Sequence, residues 1–472
     1  MSQRAPNLTS VTTINADGSH RFLHPSDVKG RFTLARRLTA LVLIAVYVGL
    51  PWIPVKGFPA VFLDVANRRF HFFGFTLVAQ DLWLGFFLVT GLAFGLFYVT
   101  SLFGRLWCGW TCPYTVFLEH VYRRVERFID GDAAARKKLD AAPWSFRKVL
   151  RRVAKHSIYL ALSVAIAHVF LSYFVSIPQL YAWMQGPPSQ HLLAFGVVLS
   201  LTTGLYFAFA WFREQFCIIL CPYGRLQSAL TDDHTVVIGY DEKRGEPRGK
   251  VGAPGVGDCI NCMRCVQVCP TGIDIRNGLQ LECIGCAACV DACDAIMAKV
   301  GRAPGLVRYD SMQGLSGKRT RYLRTRTLVY TVFALMGLLA AGAALYSLKP
   351  VRVLAKRIPG QPFFVSEGTV RNQFTIRIIN KQHGPALFRV ELDNADAPEG
   401  MSLLGAESAV EVPSLDEVEK TVILTIPQKQ YQGSQRVRIN IHETGNGVKL
   451  SQEVEFLGPD LRFSTLPPSS SP

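Results

Sequence analysis

Charged residues are scarce in this sequence, where only 18% of the 472 residues are Asp, Glu, Lys or Arg. The mean hydropathy is +0.21. Both values favour a membrane protein, because apolar helices in lipid need no charged face. The net charge is nevertheless +16. A basic balance fits either nucleic-acid binding or cytoplasmic loops beside a membrane. The positions of the charges favour the membrane, so we predict no nucleic-acid partner.

Cysteine is absent before position 108 and after position 293. This distribution excludes a disulfide-rich secreted fold, whose cysteines are spread through its loops. The twelve cysteines lie instead in short runs with the spacing of metal ligands. The sequence also has no Gly-rich phosphate-binding loop and no Met- or His-rich copper tract, and it contains only seven methionines.

No small-x-small cleavage site follows the first apolar stretch. The polar residues 1–36 precede it, so the stretch is predicted to be a retained helix rather than a signal peptide. Five apolar segments have roughly the 20 residues needed to cross roughly 30 Å of hydrocarbon. They are Leu38–Ile53, Leu82–Phe103, Ser157–Ile177, Leu192–Phe212 and Thr327–Leu348.

The basic residues predict the orientation of these spans. Residues 104–156 contain twelve Lys or Arg, whereas residues 178–191 contain none. Because basic loops stay in the cytoplasm, the N-terminus and the loops 104–156 and 213–326 are predicted to be cytoplasmic. Five spans then place residues 349–472 outside.

The C-terminal part is predicted to be an all-β, Ig-like sandwich. Four segments alternate between apolar and polar residues, and turn residues such as Gly400 and Gly433 separate them. The segments are Phe374–Ile379, Leu387–Leu392, Thr421–Ile426 and Val437–His442. Short strands at this spacing are typical of a sandwich, and without cysteine its core must rest on apolar packing. Residues 463–472 are predicted to be disordered.

The strongest pattern is a run of four cysteines spaced x2, x2, x3 that occurs twice, 24 residues apart. The runs are Cys259, Cys262, Cys265, Cys269 with Pro270, and Cys283, Cys286, Cys289, Cys293 with Asp294. In two-cluster bacterial ferredoxins with this spacing, the fourth cysteine of each run ligates the other [4Fe–4S] cluster. We therefore predict that Cys259, Cys262, Cys265 and Cys293 bind cluster one. Cluster two is assigned to Cys283, Cys286, Cys289 and Cys269.

Two alternatives to iron–sulfur clusters are weaker. Structural zinc sites use two C-x2-C pairs, so consecutive x2 gaps with an x3 ending would leave ligands unused. Disulfides are disfavoured because a cytoplasmic loop is kept reduced. In the second run Asp294 replaces the usual proline, and its negative charge is expected to lower the potential of a nearby cluster.

The remaining cysteines form two C-x3-C-P-Y motifs, which we call the paired cysteines. They are Cys108 and Cys112 after the second span, and Cys217 and Cys221 after the fourth. A four-residue spacing would place both thiols of a pair on one helical face, and the proline would end or open a helix. Four thiolates could then meet at the inner membrane surface. Buried inert cysteines, a redox dithiol, or a site for Cu(I), Zn or a third cluster all remain open.

In these motifs the sequence resembles the cytochrome c oxidase accessory protein family CcoG, also called FixG or RdxA. The matching stretches are Asn67–Gly74, Trp107–Tyr114, Phe216–Arg225, Cys259–Ile275 and Leu281–Asp294, and the C-terminal sandwich also fits. The resemblance implies a bacterial inner-membrane protein that assembles cbb3-type cytochrome oxidase by reducing Cu(II) to Cu(I). It implies that Cys108, Cys112, Cys217 and Cys221 form the catalytic metal site.

Three hypotheses for the function follow. The first is a cupric reductase that takes electrons from an unidentified cytosolic donor and serves oxidase subunits or copper chaperones. The second is a quinol-oxidising electron-transfer subunit, and the third is a non-catalytic assembly factor with structural clusters. The oligomeric state is left open.

The predicted fold is a helical membrane protein with a ferredoxin-like insertion and an external sandwich. Its domains are a cytoplasmic segment 1–36, four membrane helices in 37–213, a cytoplasmic loop 214–326 with the ferredoxin domain at about 250–300, a fifth helix 327–348, a periplasmic Ig-like domain 349–462 and a tail 463–472.

Overall fold

The computed structural model describes residues 13, 22–78, 81, 83–347, 349–382, 384–393, 395, 397–444, 447 and 449–460. The predicted disordered tail at 463–472 lies outside these residues, as do residues 1–12 and 14–21. The described residues divide into two compact units. The membrane unit holds those within 1–73 and 82–343, and the C-terminal unit holds those within 74–81 and 344–472.

Among the described residues, five helices are long and apolar enough to cross a membrane, as predicted. These spans are Arg31–Trp52, Trp83–Phe103, Phe146–Leu171, Pro188–Phe212 and Thr325–Tyr346. Leu, Val and Phe side chains point outward from them and are exposed, which is the pattern of helices that face lipid rather than water.

Four spans begin earlier than hydropathy predicts, and the difference is largest for the first and the third. The third helix begins at Phe146, because Ser145 caps it by accepting a hydrogen bond from the Lys148 backbone N–H at 3.3 Å. Its first turns are basic, so their hydropathy is too low for these residues to be predicted as part of a membrane span. The first helix begins at Arg31, and its cap comes from a distant residue, Asp291, described below.

Shorter helices connect the spans of the membrane unit. On the side of the paired cysteines they are Leu106–Trp110, Pro113–Phe117, Leu118–Tyr122, Arg123–Asp130, Ala133–Ala141, Phe216–Leu220 and Pro222–Leu230. A helix at Ile177–Gln185 joins the third and fourth spans. Between the first and second spans, the strands Val61–Asp64 and Arg69–Phe72 form a hairpin in which Val61 pairs with Phe72.

The ferredoxin segment is bracketed by two antiparallel strands, Val237–Tyr240 and Val307–Asp310. Between them lie the helices Arg264–Gln267 and Ala288–Lys299. The apolar core beneath the two cysteine runs includes Ile238, Ile275, Val290, Met297 and Leu306.

The Ala288–Lys299 helix is joined directly to the first span. The Asp291 carboxylate accepts hydrogen bonds from the Phe32 N–H at 3.2 Å and from the Thr33 N–H at 2.7 Å. The Thr33 hydroxyl donates a third bond at 2.7 Å. These amides belong to the first turn of the span, where backbone N–H groups lack helical partners and the helix dipole favours a negative charge. Gly30 leaves the necessary room, since a Cβ there would lie 2.2 Å from the Asp291 Cγ.

The C-terminal unit is a two-sheet β-sandwich, which confirms the predicted fold class. One sheet has the order Ser402–Leu404, Glu417–Pro427, Thr369–Asn380 and Val351–Arg357, and Phe364–Ser366 also pairs with Thr369–Asn380. The other has the order Val410–Val412, Ala386–Leu392, Gln435–Glu443 and Lys449–Phe456. All four predicted alternating segments lie within these strands. The core contains fully buried Ile376, Phe388, Leu424, Ile439 and Phe456.

Candidate metal centres

Each predicted cluster set borders its own cavity in the ferredoxin segment. Cavity one is lined by the first set, namely Cys259, Cys262, Cys265 and Cys293. Cavity two is lined by the second set, namely Cys269, Cys283, Cys286 and Cys289. Cys265 also reaches the wall of cavity two. The structure thus brings the fourth cysteine of each run to the cavity of the other run.

Both loops use the same backbone conformation to wrap their cysteines. Asn261 and Met263 flank Cys262 with φ of 55° and 60°, and Gly285 and Ala287 flank Cys286 with φ of 66° and 58°. Three of these four residues are not glycine, and left-handed backbone is unusual for them. Met263 and Ala287 are also the N-cap residues that immediately precede the helices Arg264–Gln267 and Ala288–Lys299.

The cysteines of both cavities fit [4Fe–4S] clusters. Burial raises the pKa of Cys265 to about 11 and the pKa of Cys293 and Cys283 to about 12. Neighbouring thiols add to the rise, and Asp294 contributes at Cys293. Closely grouped buried thiols ionise readily only when a bound metal offers positive charge. Soft sulfur donors alone also match iron–sulfur ligation.

The two cavities differ in exposure. Cys262, on the wall of cavity one, is exposed. Cys286 and Cys289, on the wall of cavity two, are buried. Cavity one is therefore the nearer of the two to solvent within the membrane unit.

The paired cysteines straddle helix breaks, so the expectation of one helical face for each pair is wrong. Cys108 lies in the helix Leu106–Trp110, whereas Cys112 precedes the helix that begins with Pro113. Cys217 and Cys221 repeat this arrangement around Pro222. The break has a common cause, because proline has no N–H to continue the helical ladder but suits the first helical position.

The two motifs also share a wide turn. The Cys112 N–H donates to the Trp107 carbonyl at 2.9 Å, and the Cys221 N–H donates to the Phe216 carbonyl at 2.8 Å. Each bond spans five residues rather than the usual four. The C-x3-C-P pattern therefore encodes one local fold that occurs twice.

The tyrosine of each motif contacts the chain that leads into the other motif. The Tyr114 hydroxyl donates to the Arg213 carbonyl at 2.6 Å, and its ring stacks on Phe216 with centroids 4.3 Å apart. Tyr223 hydrogen-bonds the Thr100 hydroxyl near the end of the second span at 2.5 Å. This reciprocal pairing brings the ends of the second and fourth spans together, as the sequence predicts.

The four paired cysteines are neighbours in the structure. Burial raises the pKa of Cys217 to about 12, and Cys112, Cys108 and Cys221 add to the rise while Arg105 opposes it. The Gln227 amide donates to the Cys108 sulfur at 3.4 Å. Within the described part of the chain, no three His, Cys, Asp or Glu side chains are gathered tightly enough to hold one metal ion.

The first paired-cysteine motif packs directly on cavity two. A Cβ at Gly109 would lie 2.5 Å from the Ile284 carbonyl oxygen and 2.9 Å from the Cys286 Cα. Because only hydrogen fits there, the backbone beside Cys108 and Cys112 lies against the backbone of a cavity-two cysteine. The Arg36 Nε holds the Gly109 carbonyl from the other side at 2.9 Å.

A buried ionic network supports the second motif. Arg123 donates to Glu214 at 2.8 Å and to the Pro270 carbonyl at 3.3 Å, so it connects the residue after Cys269 with the approach to Cys217. Arg213 pairs with Glu126 at 2.8 Å. Arg213 also has φ of 47°, a strained conformation that surrounding bonds must maintain.

Sequence reasoning missed the residues that join these centres. Arg36, Arg105 and Gln227 lie outside the motifs, Asp291 lies within the second cysteine run without being a predicted ligand, and each contacts residues far away in the sequence. Gly109 carried one signal, since it lies inside a metal-ligand motif and glycine is common where backbones approach closely.

Family comparisons match most of the chain. A 4Fe-4S binding domain matches residues 83–131 and a 4Fe-4S dicluster domain matches residues 212–312. The first of these ranges contains Cys108 and Cys112. An IG-like fold at the C-terminal of FixG matches residues 341–459.

Three relatives are similar to this chain over most of their length. Nitrogen fixation protein FixG of Rhizobium meliloti is 38% identical over 412 residues, with 76% of this chain and 77% of the relative covered. In Cereibacter sphaeroides, RdxA is 36% identical (79% of this chain and 82% of RdxA). RdxB from the same organism is 35% identical (85% of this chain and 88% of RdxB).

Proposed function

The chain belongs to the FixG/RdxA family of iron–sulfur electron-transfer proteins, and from this premise we propose that it reduces Cu(II) to Cu(I) for the assembly of cbb3-type cytochrome oxidase. In this proposal the protein crosses the bacterial inner membrane five times. The ferredoxin segment and the paired cysteines lie on the cytoplasmic side, and the sandwich lies in the periplasm. The twelve Lys and Arg residues in 104–156 support this orientation.

The observation that carries the proposal is the contact between Gly109 and Cys286. It places a paired-cysteine motif against the wall of cavity two with no side chain between the two backbones. A short separation of this kind is what electron transfer between two centres requires.

The burial of the cysteines suggests an order for the relay. Exposed Cys262 makes cavity one the entry point for a cytosolic electron donor, whereas buried Cys286 makes cavity two the exit toward the paired cysteines. When bound, two [4Fe–4S] clusters supply electrons singly. The chain's own contribution is to hold the two cavities and the paired cysteines in sequence and to keep water away from the inner cavity.

The paired cysteines suit copper as a substrate. Thiolates are soft ligands that favour Cu(I) over Cu(II), so they increase the driving force for a one-electron reduction. One electron leaves the relay for each Cu(II) that becomes Cu(I), and no bond to the protein is made or broken permanently. The Cu(I) product would pass to an oxidase subunit or a copper chaperone, with the sandwich as a candidate docking domain.

The decisive experiment is anaerobic purification of the full chain, with iron and sulfide determined and low-temperature EPR spectra recorded after dithionite and again after Cu(II). We expect about eight irons per chain, as two four-iron clusters require, and reoxidation of the clusters matched by formation of Cu(I). A Cys217→Ser variant should keep its iron and lose the response to Cu(II).

Other outcomes would replace the proposal. About twelve irons, the content of three four-iron clusters, would place a third cluster at the paired cysteines. Eight irons that respond to a quinol but not to Cu(II) would favour a quinol-oxidising subunit. Normal oxidase assembly by a Cys259→Ser variant would favour a non-catalytic assembly factor.

A further inference from the structure

Arg105 lies between cavity two and the paired cysteines. Its Nη1 donates to the carbonyl of Leu281, two residues before Cys283. Its Nη2 lies 2.9 Å from the point where a Cβ on Gly224 would stand, and that point is 2.8 Å from the Cys217 carbonyl oxygen. The guanidinium therefore reaches both the cavity-two loop and the second paired-cysteine motif.

The backbone of Arg105 is fixed on the same two sides. Its carbonyl accepts the Cys108 N–H at 3.1 Å. A Cβ on Gly285, between Cys283 and Cys286, would lie 3.1 Å from the same carbonyl oxygen. The Arg105 Nε is buried and has no hydrogen-bond partner among the described residues, which leaves one N–H of the charged group uncommitted.

The charge of Arg105 acts on thiols of both centres. Its guanidinium lies against the loop that leads to Cys283 and against the Cys217 turn, and its carbonyl holds the Cys108 N–H. A cation held at this place favours any state of either centre that carries more negative charge. The reduced state of a bound centre is such a state.

We propose that Arg105 is a positioning residue that sets the redox potentials of cluster two and of the paired-cysteine centre together, by holding one positive charge between them. The inference rests on the proposed relay. It explains how an electron could pass between the two centres while the same positive charge stabilises it at both. The arrangement raises both potentials in parallel, so it leaves the difference between them little changed.

The structural alternative is that Arg105 only ties down the loop at Leu281. In that case the charge of residue 105 would not influence the potential of cluster two. Any side chain unable to contact both the Leu281 loop and the second paired-cysteine motif would change that potential equally. A Lys variant separates the two explanations, because Lys keeps the charge but lacks the planar fork of donors.

The test is EPR-monitored potentiometric titration of the full chain in detergent, without copper, for wild type, Arg105→Gln and Arg105→Lys. Iron content is checked in each. Arg276→Gln is the reciprocal control, because Arg276 lines cavity one and donates to the Met263 Sδ there at 2.6 Å. This variant should lower the potential of cluster one only. The EPR signal that shifts in it is therefore assigned to cluster one, and the other signal to cluster two.

We expect Arg105→Gln to disfavour reduction of cluster two by about tenfold, which corresponds to about 59 mV for one electron. Cluster one should be unchanged, and Arg105→Lys should remain close to wild type. An unchanged cluster-two potential in Arg105→Gln, or an equal shift in Arg105→Lys, would overturn the inference.

If the Gln variant loses iron, Arg105→Met provides a second neutral variant on which the potential can be measured. If both neutral variants lost cluster two while Lys kept it with an altered potential, Arg105 would be structural and the inference would fail. The measurement is also independent of the proposed function. Wild type that does not reduce Cu(II) would refute the copper proposal and leave the Arg105 result standing.

Discussion

Cys269 belongs to the first cysteine run by sequence but borders cavity two, and Cys293 belongs to the second run but borders cavity one. This exchange makes a sharp prediction for single variants. Cys269→Ser should damage the cluster held by Cys283, Cys286 and Cys289. Cys293→Ser should damage the other cluster.

Iron analysis and EPR spectra of the two variants would check the exchange. Each variant should retain about half of the wild-type iron, since one of two four-iron clusters remains. Cys269→Ser should resemble Cys286→Ser rather than Cys265→Ser. A Cys269→Ser spectrum matching that of Cys259→Ser would mean that each run holds its own cluster.

Gly109 is the residue at which the two centres meet, so adding one methyl group should separate them. In Gly109→Ala the Cβ would overlap the Ile284 carbonyl and the Cys286 backbone. Overpacking of this kind costs about 1–3 kcal/mol of unfolding free energy. We expect lower thermal stability and slower reoxidation of the clusters by Cu(II), measured by stopped-flow absorbance under anaerobic conditions.

Gly95→Ala is the matched control for this change. Gly95 lies in the second span, which leads to the same motif, and a Cβ there would meet nothing within 4 Å. Both substitutions replace a helical glycine by alanine, so helix propensity changes alike. Equal behaviour of the two variants would show that the contact with Cys286 has no role in electron transfer.

At the scale of elements, the union of the first span with the helix Ala288–Lys299 depends on Asp291. Removing its carboxylate in Asp291→Ala eliminates three hydrogen bonds to the first turn of the span. Loss of such a cap costs about 0.5–2 kcal/mol, and the helix dipole adds to the effect. Asp291→Asn should recover part of this loss, because the amide oxygen still accepts.

Hydrogen exchange of the Phe32 and Thr33 amides is the direct measurement, with thermal unfolding beside it. Asp294→Asn serves as the control. Asp294 lies on the same helix, but its carboxylate accepts a hydrogen bond from the Gly305 N–H at 2.8 Å rather than from the first span. Faster exchange at Phe32 and Thr33 in Asp291→Ala alone is expected. Unchanged protection there would contradict a capping role for Asp291.

The ionic network around Glu126 predicts a dependence of stability on pH. Burial raises the pKa of Glu126, but Arg213, Lys155 and Arg136 outweigh burial and hold it at about 2. In the unfolded chain the pKa of a glutamate is about 4.3. The folded-state pKa is thus the lower one, so the contribution of Glu126 is complete above about pH 4.3 and is lost as the pH falls toward 2.

Thermal unfolding between pH 7 and pH 3 would measure this effect. Glu126→Gln should be less stable than wild type at pH 7 and should lose less stability on acidification. Glu242→Gln, at an exposed position, provides the control. Parallel curves for wild type and Glu126→Gln would show that the network does not depend on the ionised carboxylate.

The elements also show which features a sequence can predict. The five spans and the sandwich strands follow from apolar length and alternation, which are local properties. The grouping of Cys269 with Cys283 followed from spacing. The helix start at Arg31 did not, because it depends on Asp291 about 260 residues away. The prolines indicated the breaks after Cys112 and Cys221, but four-residue spacing alone does not specify the wide turn in each motif.

At the scale of the whole molecule, charge distribution and an odd number of spans together predict the sidedness. Basic residues flank the first, third and fifth spans on the side of the paired cysteines, and residues 178–191 contain none. Since Lys and Arg resist transfer across the membrane, the ferredoxin segment should remain in the cytoplasm. The sandwich, after the fifth helix Thr325–Tyr346, should then be exported.

Fusions of the chain to alkaline phosphatase or green fluorescent protein test this orientation, because the first is active only outside the cytoplasm and the second fluoresces inside it. A fusion after residue 472 should give phosphatase activity, and one after residue 315 should give fluorescence. The reverse result would place the paired cysteines outside. It would also make periplasmic copper their substrate, because Gly109 beside the thiols packs against Cys286 of the ferredoxin segment, so both must face the same side.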